Sequence, residues 1–291
     1  MIRHRPITAM ATATAGGAML VETGRDPAPT APEPARTPVW GRPGFLRALA
    51  PLALLIAWQI GSKSGLLSER TLPAPSVVVA AGLEVYRSGA LGDALLVSGQ
   101  RVLLGFVLGA VLGVGLGIVA GLGRLGEYVI DPPLQMLRTV PLFGLIPLFI
   151  IWFGIGEEPK VYLIALGVAF PLYLNTFSGI RHLDPKLLEL SRVLGLSTGE
   201  RLRTLVIPGA LPQILVGLRQ SLGIAWLSLI VAEQINASEG LGYIVNNARE
   251  FLRTDIVIFG LIVYGVLGLI TDSIVRSLEL RALRWQPHTP R

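Results

Sequence analysis

The sequence has no cysteine, which excludes disulfide frameworks, thiolate metal sites and cysteine nucleophiles. Its three histidines, His4, His182 and His288, are too scattered to form a histidine metal cluster. Charge is scarce too: Asp, Glu, Lys and Arg make up 15% of 291 residues, against about 25% in a soluble domain. No G-x-x-x-x-G-K-S/T phosphate loop and no H-E-x-x-H helix occurs, so these signs assign the chain neither ATP binding nor peptide hydrolysis. No other cluster suggests catalysis, and neither a metal site nor a catalytic site is expected.

What the chain does have is long uncharged runs, with 52% hydrophobic residues overall. A helix crossing roughly 30 Å of hydrocarbon needs about 20 mainly apolar residues. Six stretches meet that need, at 45–62, 102–123, 139–156, 161–180, 212–232 and 256–271. They predict an all-α integral membrane bundle of six transmembrane helices. The 34 glycines and 21 prolines lie mostly in or beside these stretches, as membrane helices allow. Residues 1–44, with Pro27, Pro29, Pro32, Pro34 and Pro38 closely spaced, predict a disordered tail, and 286–291 a short second tail. A cleaved signal is not expected, because 7–19 is broken by Thr and Gly.

The net charge of +6 first admits nucleic acid, an anionic membrane face or an acidic partner. Its distribution decides for topology. With the amino terminus inside, the cytoplasmic segments carry 17 Lys and Arg against 7 outside, and Arg219 lies within the fifth span. The excess marks the cytoplasmic face, so both termini are expected there and no nucleic acid is implied.

Within the second span Gly105, Gly109, Gly113, Gly117 and Gly121 recur every four residues. Such a stripe lets a neighbouring backbone approach closely, within the chain or across a subunit contact. Two other patterns are decoys. Gly121, Gly123 and Gly126 form G-x-G-x-x-G, but an apolar span precedes them rather than a strand. Gly195, Ser197 and Gly199 form G-x-S-x-G without the strand and positioned histidine of a nucleophile elbow.

The segment 181–211 is too amphipathic for a passive linker. Asp184 is placed to cap a helix with Pro185 in its first turn, and Leu187, Leu190 or Ser191, and Leu194 share a face. Gly195 supplies a left-handed stop. Ser197 and Glu200 then have capping-box spacing for a second short helix, which Pro208 and Pro212 are expected to end.

The run from Glu189 to Gly195, followed by Ile207-Pro208, resembles the EAA loop of the bacterial ABC importer permeases. Glu189, Gly195 and Pro208 match that pattern, and Leu190 and Ser191 stand where the family prefers alanine. The resemblance extends over about 70–285 and includes Leu134-Gln135-Met136-Leu137-Arg138, Pro147-Leu148-Phe149, Trp152-Phe153-Gly154-Ile155-Gly156 and Arg253-Thr254-Asp255. It is strongest to the aliphatic sulfonate branch, near the taurine and nitrate permeases. The resemblance implies the type I ABC importer permease fold, a homodimer in the bacterial plasma (inner) membrane, and a periplasmic or lipoprotein substrate-binding protein. It also implies an ABC ATPase subunit that binds the ATP, with no cofactor in this chain. The ATPase contact would involve Glu189, Leu190, Ser191, Arg192, Gly195, Leu196, Ser197 and Pro208. The substrate implied is an aliphatic sulfonate, with taurine, nitrate or a vitamin precursor as alternatives.

For the pathway, the sequence offers Arg219, because a charge inside a span is costly and commonly faces a cavity or a partner. Snorkelling or a structural ion pair explains it as well. Trp226, Ser228 and Glu233 near the far end of the same helix are candidates for a gate. A secondary transporter would need inverted repeats, which the halves do not display.

Overall fold

The computed structural model describes residues 43–234 and 237–284. Of the expected tails, 1–42 and 286–291 lie outside the described residues, while 43–44 open the first helix. The chain divides into a unit ending at Pro51 and a second unit from Leu52 onward. Helix α1 (Pro43–Lys63) begins in the first, and the later helices lie in the second. Among the described residues all regular structure is helical: α2 (Pro75–Arg87), α3 (Ala90–Leu122), α4 (Arg124–Thr139), α5 (Ile146–Phe153), α6 (Glu158–Arg181), α7 (Pro185–Val193), α8 (Thr198–Arg201), α9 (Ile207–Glu233), α10 (Leu241–Glu250) and α11 (Thr254–Ala282). Among the described residues four helical runs are each long and apolar enough to cross a bilayer: α3, α6, 198–233 and α11.

The glycine stripe sets the core. A Cβ at Gly105 would stand 2.6 Å from Ile164, one at Gly117 2.7 Å from Thr176, and one at Gly121 2.9 Å from Ile180. Positions rising together on α3 and α6 mean that the two helices run parallel, with backbones in the close contact that lipid cannot drive but packing can. Helix α9 lies antiparallel on α6: Gly217 abuts Asn175, and the Ser221 hydroxyl donates to the Val168 carbonyl at 2.8 Å. Buried Ile164, Val168, Leu172, Ala225 and Leu229 fill the space between them. Helix α11 runs along α9, joined where the Trp226 indole N–H donates to Thr271 at 3.2 Å.

Because α3 and α6 are parallel, the chain must return the full length of the bundle between them. The sequence expectation of one helix at 139–156 needs correction here. The return is made by α4 and α5, broken by a 3-10 turn at Leu142–Leu145. Pro141 causes the break, since it forces Val140 out of the helical region to φ −75° and ψ 125°. Residues 124–138, expected as a cytoplasmic segment, are thus the first half of the crossing. Asp131 accepts from the Tyr173 hydroxyl at 2.8 Å, and Leu142 lies against Gly167. Arg138 falls between those two levels, near the middle of α6, and is exposed.

Two further expectations shift. Helix α3 begins twelve residues before 102, because Arg101 lies within the helix instead of marking its boundary. Pro208 and Pro212 do not end the loop helix: α8 passes through a π-helical turn, Leu202–Val206, directly into α9. A proline ring displaces the carbonyl four residues before it, and the wider π turn absorbs that displacement. The sequence also gave no expectation of α2 or α10.

Candidate functional site

The 181–211 segment assembles from local rules. The Asp184 carboxylate accepts from the Lys186 amide at 2.9 Å and opens α7. Gly195, at φ 71°, closes it in a Schellman turn, where Leu196 N–H donates to Ser191 C=O at 3.1 Å and Gly195 N–H to Arg192 C=O at 3.0 Å. Ser197 and Glu200 then form a reciprocal capping box. The Ser197 hydroxyl holds the Glu200 carboxyl below its ordinary value, with the Ser197 backbone N–H adding to the effect. Ser197 is therefore a cap, bonded to Glu200 and, among the described residues, to no histidine.

The loop has two faces. Leu183, Leu188, Leu202 and Val206 pack against Ile180 and Ala210. Ser191, 3% exposed, sits at this seam with its hydroxyl donating to Leu188 C=O at 2.7 Å. The other face is apolar and open: Leu187, Leu190, Val193 and Leu194 are 45%, 52%, 84% and 65% exposed. Glu189 and Arg192 flank it, also exposed, and Pro208 lies beyond the π turn in the first turn of α9. The four side chains form an exposed apolar ledge on a braced, short helix.

At the opposite end of the bundle lies a cluster that the sequence did not reveal. Arg101, 4% exposed, donates to Glu233 at 2.7 Å, to Glu157 through two nitrogens, and to Glu239 C=O at 2.8 Å. Glu233 is fully buried and also accepts from the Ser98 hydroxyl at 2.6 Å, the Tyr264 hydroxyl at 2.9 Å and the Gly242 amide at 2.8 Å. Lys160 reaches Glu157 at 2.7 Å. Outside the spans, Glu157 has its pKa lowered to about 2 by the Arg101 hydrogen bond, with Lys160 adding to that effect against the cost of burial. Five helices, α3, α6, α9, α10 and α11, meet on this knot. A signal was present in the sequence: Arg101 continues the four-residue period of the glycine stripe, which places it on the buried side of α3.

The pathway candidates are placed apart. Arg219 is ion-paired to Asp272 at 2.7 Å, with Glu279 at 3.9 Å, and ties α9 to α11. Trp226 is bonded to Thr271, Ser228 is 3% exposed against α6 at Gly167, and Glu233 is sealed in the knot. All three therefore sit at helix interfaces rather than on an open surface.

The family described as "binding-protein-dependent transport system inner membrane component" matches residues 113–284. A Bacillus subtilis (strain 168) permease named for aliphatic sulfonates transport, SsuC, is 46% identical over 84% of this chain and 89% of its own length. The Escherichia coli (strain K12) protein of the same name is 48% identical, covering 81% and 90%. A crystal structure titled as an amino acid ABC transporter with histidines aligns at TM-score 0.57 and 19% identity, over 68% of this chain and 96% of that one, a likeness of fold. The parallel α3–α6 pair, the braced loop and this match agree: the chain belongs to the family of binding-protein-dependent transport system inner membrane components.

Proposed function

We propose that this chain is the membrane-spanning subunit of an ABC importer for aliphatic sulfonates, working as a homodimer with an ATPase subunit and a substrate-binding protein. ATP is bound and hydrolysed by the partner, and both termini and the 181–211 loop face the cytoplasm. The observation that carries this reading is the open apolar ledge of Leu187, Leu190, Val193 and Leu194 on a loop continuous with α9. A ledge held rigidly to a spanning helix converts movement of a docked surface into movement of that helix. Glu189 and Arg192 flank the ledge as its charged contacts, and Ser191, Gly195, Leu196, Ser197 and Pro208 hold its shape.

The homodimer draws support from Arg138. It is exposed near the middle of the bundle, with no ion-pair partner among the described residues. A charge at that depth is costly against lipid, by about 2.5 kcal/mol or more, so this face is suited to water or another subunit. Sulfonate as the substrate class rests on the two relatives of 46% and 48% identity named for it. Arg219 and Glu233, paired as they are, act in this reading to hold α9 to its neighbours while it moves.

The test is ATP-dependent uptake of ethanesulfonate into proteoliposomes holding the chain with its ATPase and binding protein. Leu190→Glu should lower uptake by at least tenfold while the protein folds normally. Full uptake with the ledge charged would overturn the coupling role, and absence of sulfonate uptake by the unaltered complex would overturn the substrate.

A further inference from the structure

One side of α9 is open along its length: Val216, Gln220, Gly223 and Leu227 are all exposed and fall on a single helical stripe. Gln220 stands midway along α9, thirteen residues from Ile207 and thirteen from Glu233, or about 20 Å of helix from either end. A primary amide facing hydrocarbon at that depth would leave its polar atoms unsatisfied. This amide belongs to a network of three: Asn175 of α6 donates to Gln220 at 3.0 Å, and Gln213 donates to Asn175 at 2.9 Å.

The orientation of the three amides is fixed by the backbone. The Asn175 atom nearest Pro171 C=O lies 2.8 Å from it, and since a carbonyl only accepts, that atom is the NH2 group. Its two hydrogens go to Pro171 C=O and to the Gln220 side-chain oxygen, and its own oxygen accepts from Gln213. The Gln220 and Asn175 oxygens are thus engaged within the network. What remains for any visitor is the Gln220 NH2 with both hydrogens and one hydrogen of the Gln213 NH2, beside the Gln213 Oε1, so N–H donors outnumber acceptors at the edge of the network. Gly217 makes this possible, since its missing side chain lets α9 approach Asn175 and Pro171 closely.

We propose that Gln213, Asn175 and Gln220 form a substrate contact on the passage side of α9, where outward amide N–H groups receive the oxygens of a sulfonate. The inference rests on the transport reading above and adds the residues that meet the cargo. Neutral donors suit a passage: they satisfy a permanent anion without holding it as a bare guanidinium would, and conduction requires release as well as binding. Arg219, also on α9, is neutralised by Asp272 and does not turn this stretch into an anion trap. Carbon chains of the substrate would lie along Val216 and Leu227.

The test uses the full complex in proteoliposomes. Gln220→Glu replaces the two donors by a carboxylate of the same shape, and Gln220→Leu removes them without adding charge. Ethanesulfonate uptake should fall at least tenfold in the first and severalfold in the second, with binding-protein-stimulated ATP hydrolysis retained in both. Gln220→Asn should recover part of the rate. Uptake unchanged in Gln220→Glu overturns the contact, as does loss of the dimer on size exclusion, which would make this face a subunit seam. If the unaltered complex imports no sulfonate while still hydrolysing ATP with its binding protein, the substrate reading fails instead, and the variants are then compared on the cargo that is imported.

Discussion

The two ends of the bundle invert the usual rule of inside and outside. At the Arg101 end, two bases and two acids converge, with Arg101, Lys160 and Glu233 buried. At the loop end, four large apolar side chains stand in the open. The contrast reflects what surrounds each end. Charge within a bilayer-spanning bundle has no water to turn to, so it is stable only where it is paired and hydrogen-bonded. Apolar surface on a loop beyond the spans has no lipid to enter, so it is useful only where another protein covers it. The first end is closed within the chain, and in the proposed reading the second is completed by the ATPase subunit.

Breaking the knot should therefore have the largest effect on the chain alone. Arg101→Leu leaves Glu233 buried without its cation, a change that costs about 3–5 kcal/mol in comparable buried pairs. The expected result is a large fall in thermal unfolding midpoint of the detergent-purified protein. Combining it with Glu233→Leu should restore part of that loss, because the uncompensated charge is removed while Glu157 keeps Lys160. Additive losses in the double variant would show that the residues act separately.

How much of this was legible follows the same division. The loop was readable residue by residue, because Asp184, Gly195, Ser197 and Glu200 act on backbone groups within a few positions of themselves. Helix α6 was readable because an apolar run of bilayer length ends at charges on both sides. The third crossing was misread because Asp131 and Gln135 look like loop residues until Tyr173, 42 positions away, satisfies Asp131. Arg101 falls just outside the span 102–123 read from the sequence, because its acids lie 56 and 132 positions away. Local punctuation is written in neighbouring residues, whereas buried polarity depends on partners that only the packed helices bring together.

A smaller effect is expected at the loop end. Ser197→Ala removes the reciprocal cap of α8, worth about 1 kcal/mol. Since the loop is held by local bonds, the loss should stay local. Amide hydrogen exchange should quicken across roughly α7, α8 and the π turn, with the global unfolding midpoint nearly unchanged. A global shift as large as that of Arg101→Leu would erase the distinction between the two ends.

The gentlest probe is acid, applied to the one member of the knot that reaches solvent. Glu157 is 56% exposed at its side chain, yet its pKa is lowered from 4.5 to about 2 by Arg101 and then Lys160. A carboxylate with a lowered folded-state value stabilises fully above its unfolded value and loses that stabilisation as pH falls toward the folded one. Stability owed to Glu157 should thus be complete above about pH 4.5 and decline between there and about pH 2. Exposure to water screens the interaction, so its size should fall below that of the buried Arg101–Glu233 pair. Comparing unfolding midpoints of the natural protein and Glu157→Gln checks the sign. The two should differ most at neutral pH and converge on acidification, and a gap that widened toward pH 2 would mean that Glu157 does not stabilise the knot as an anion.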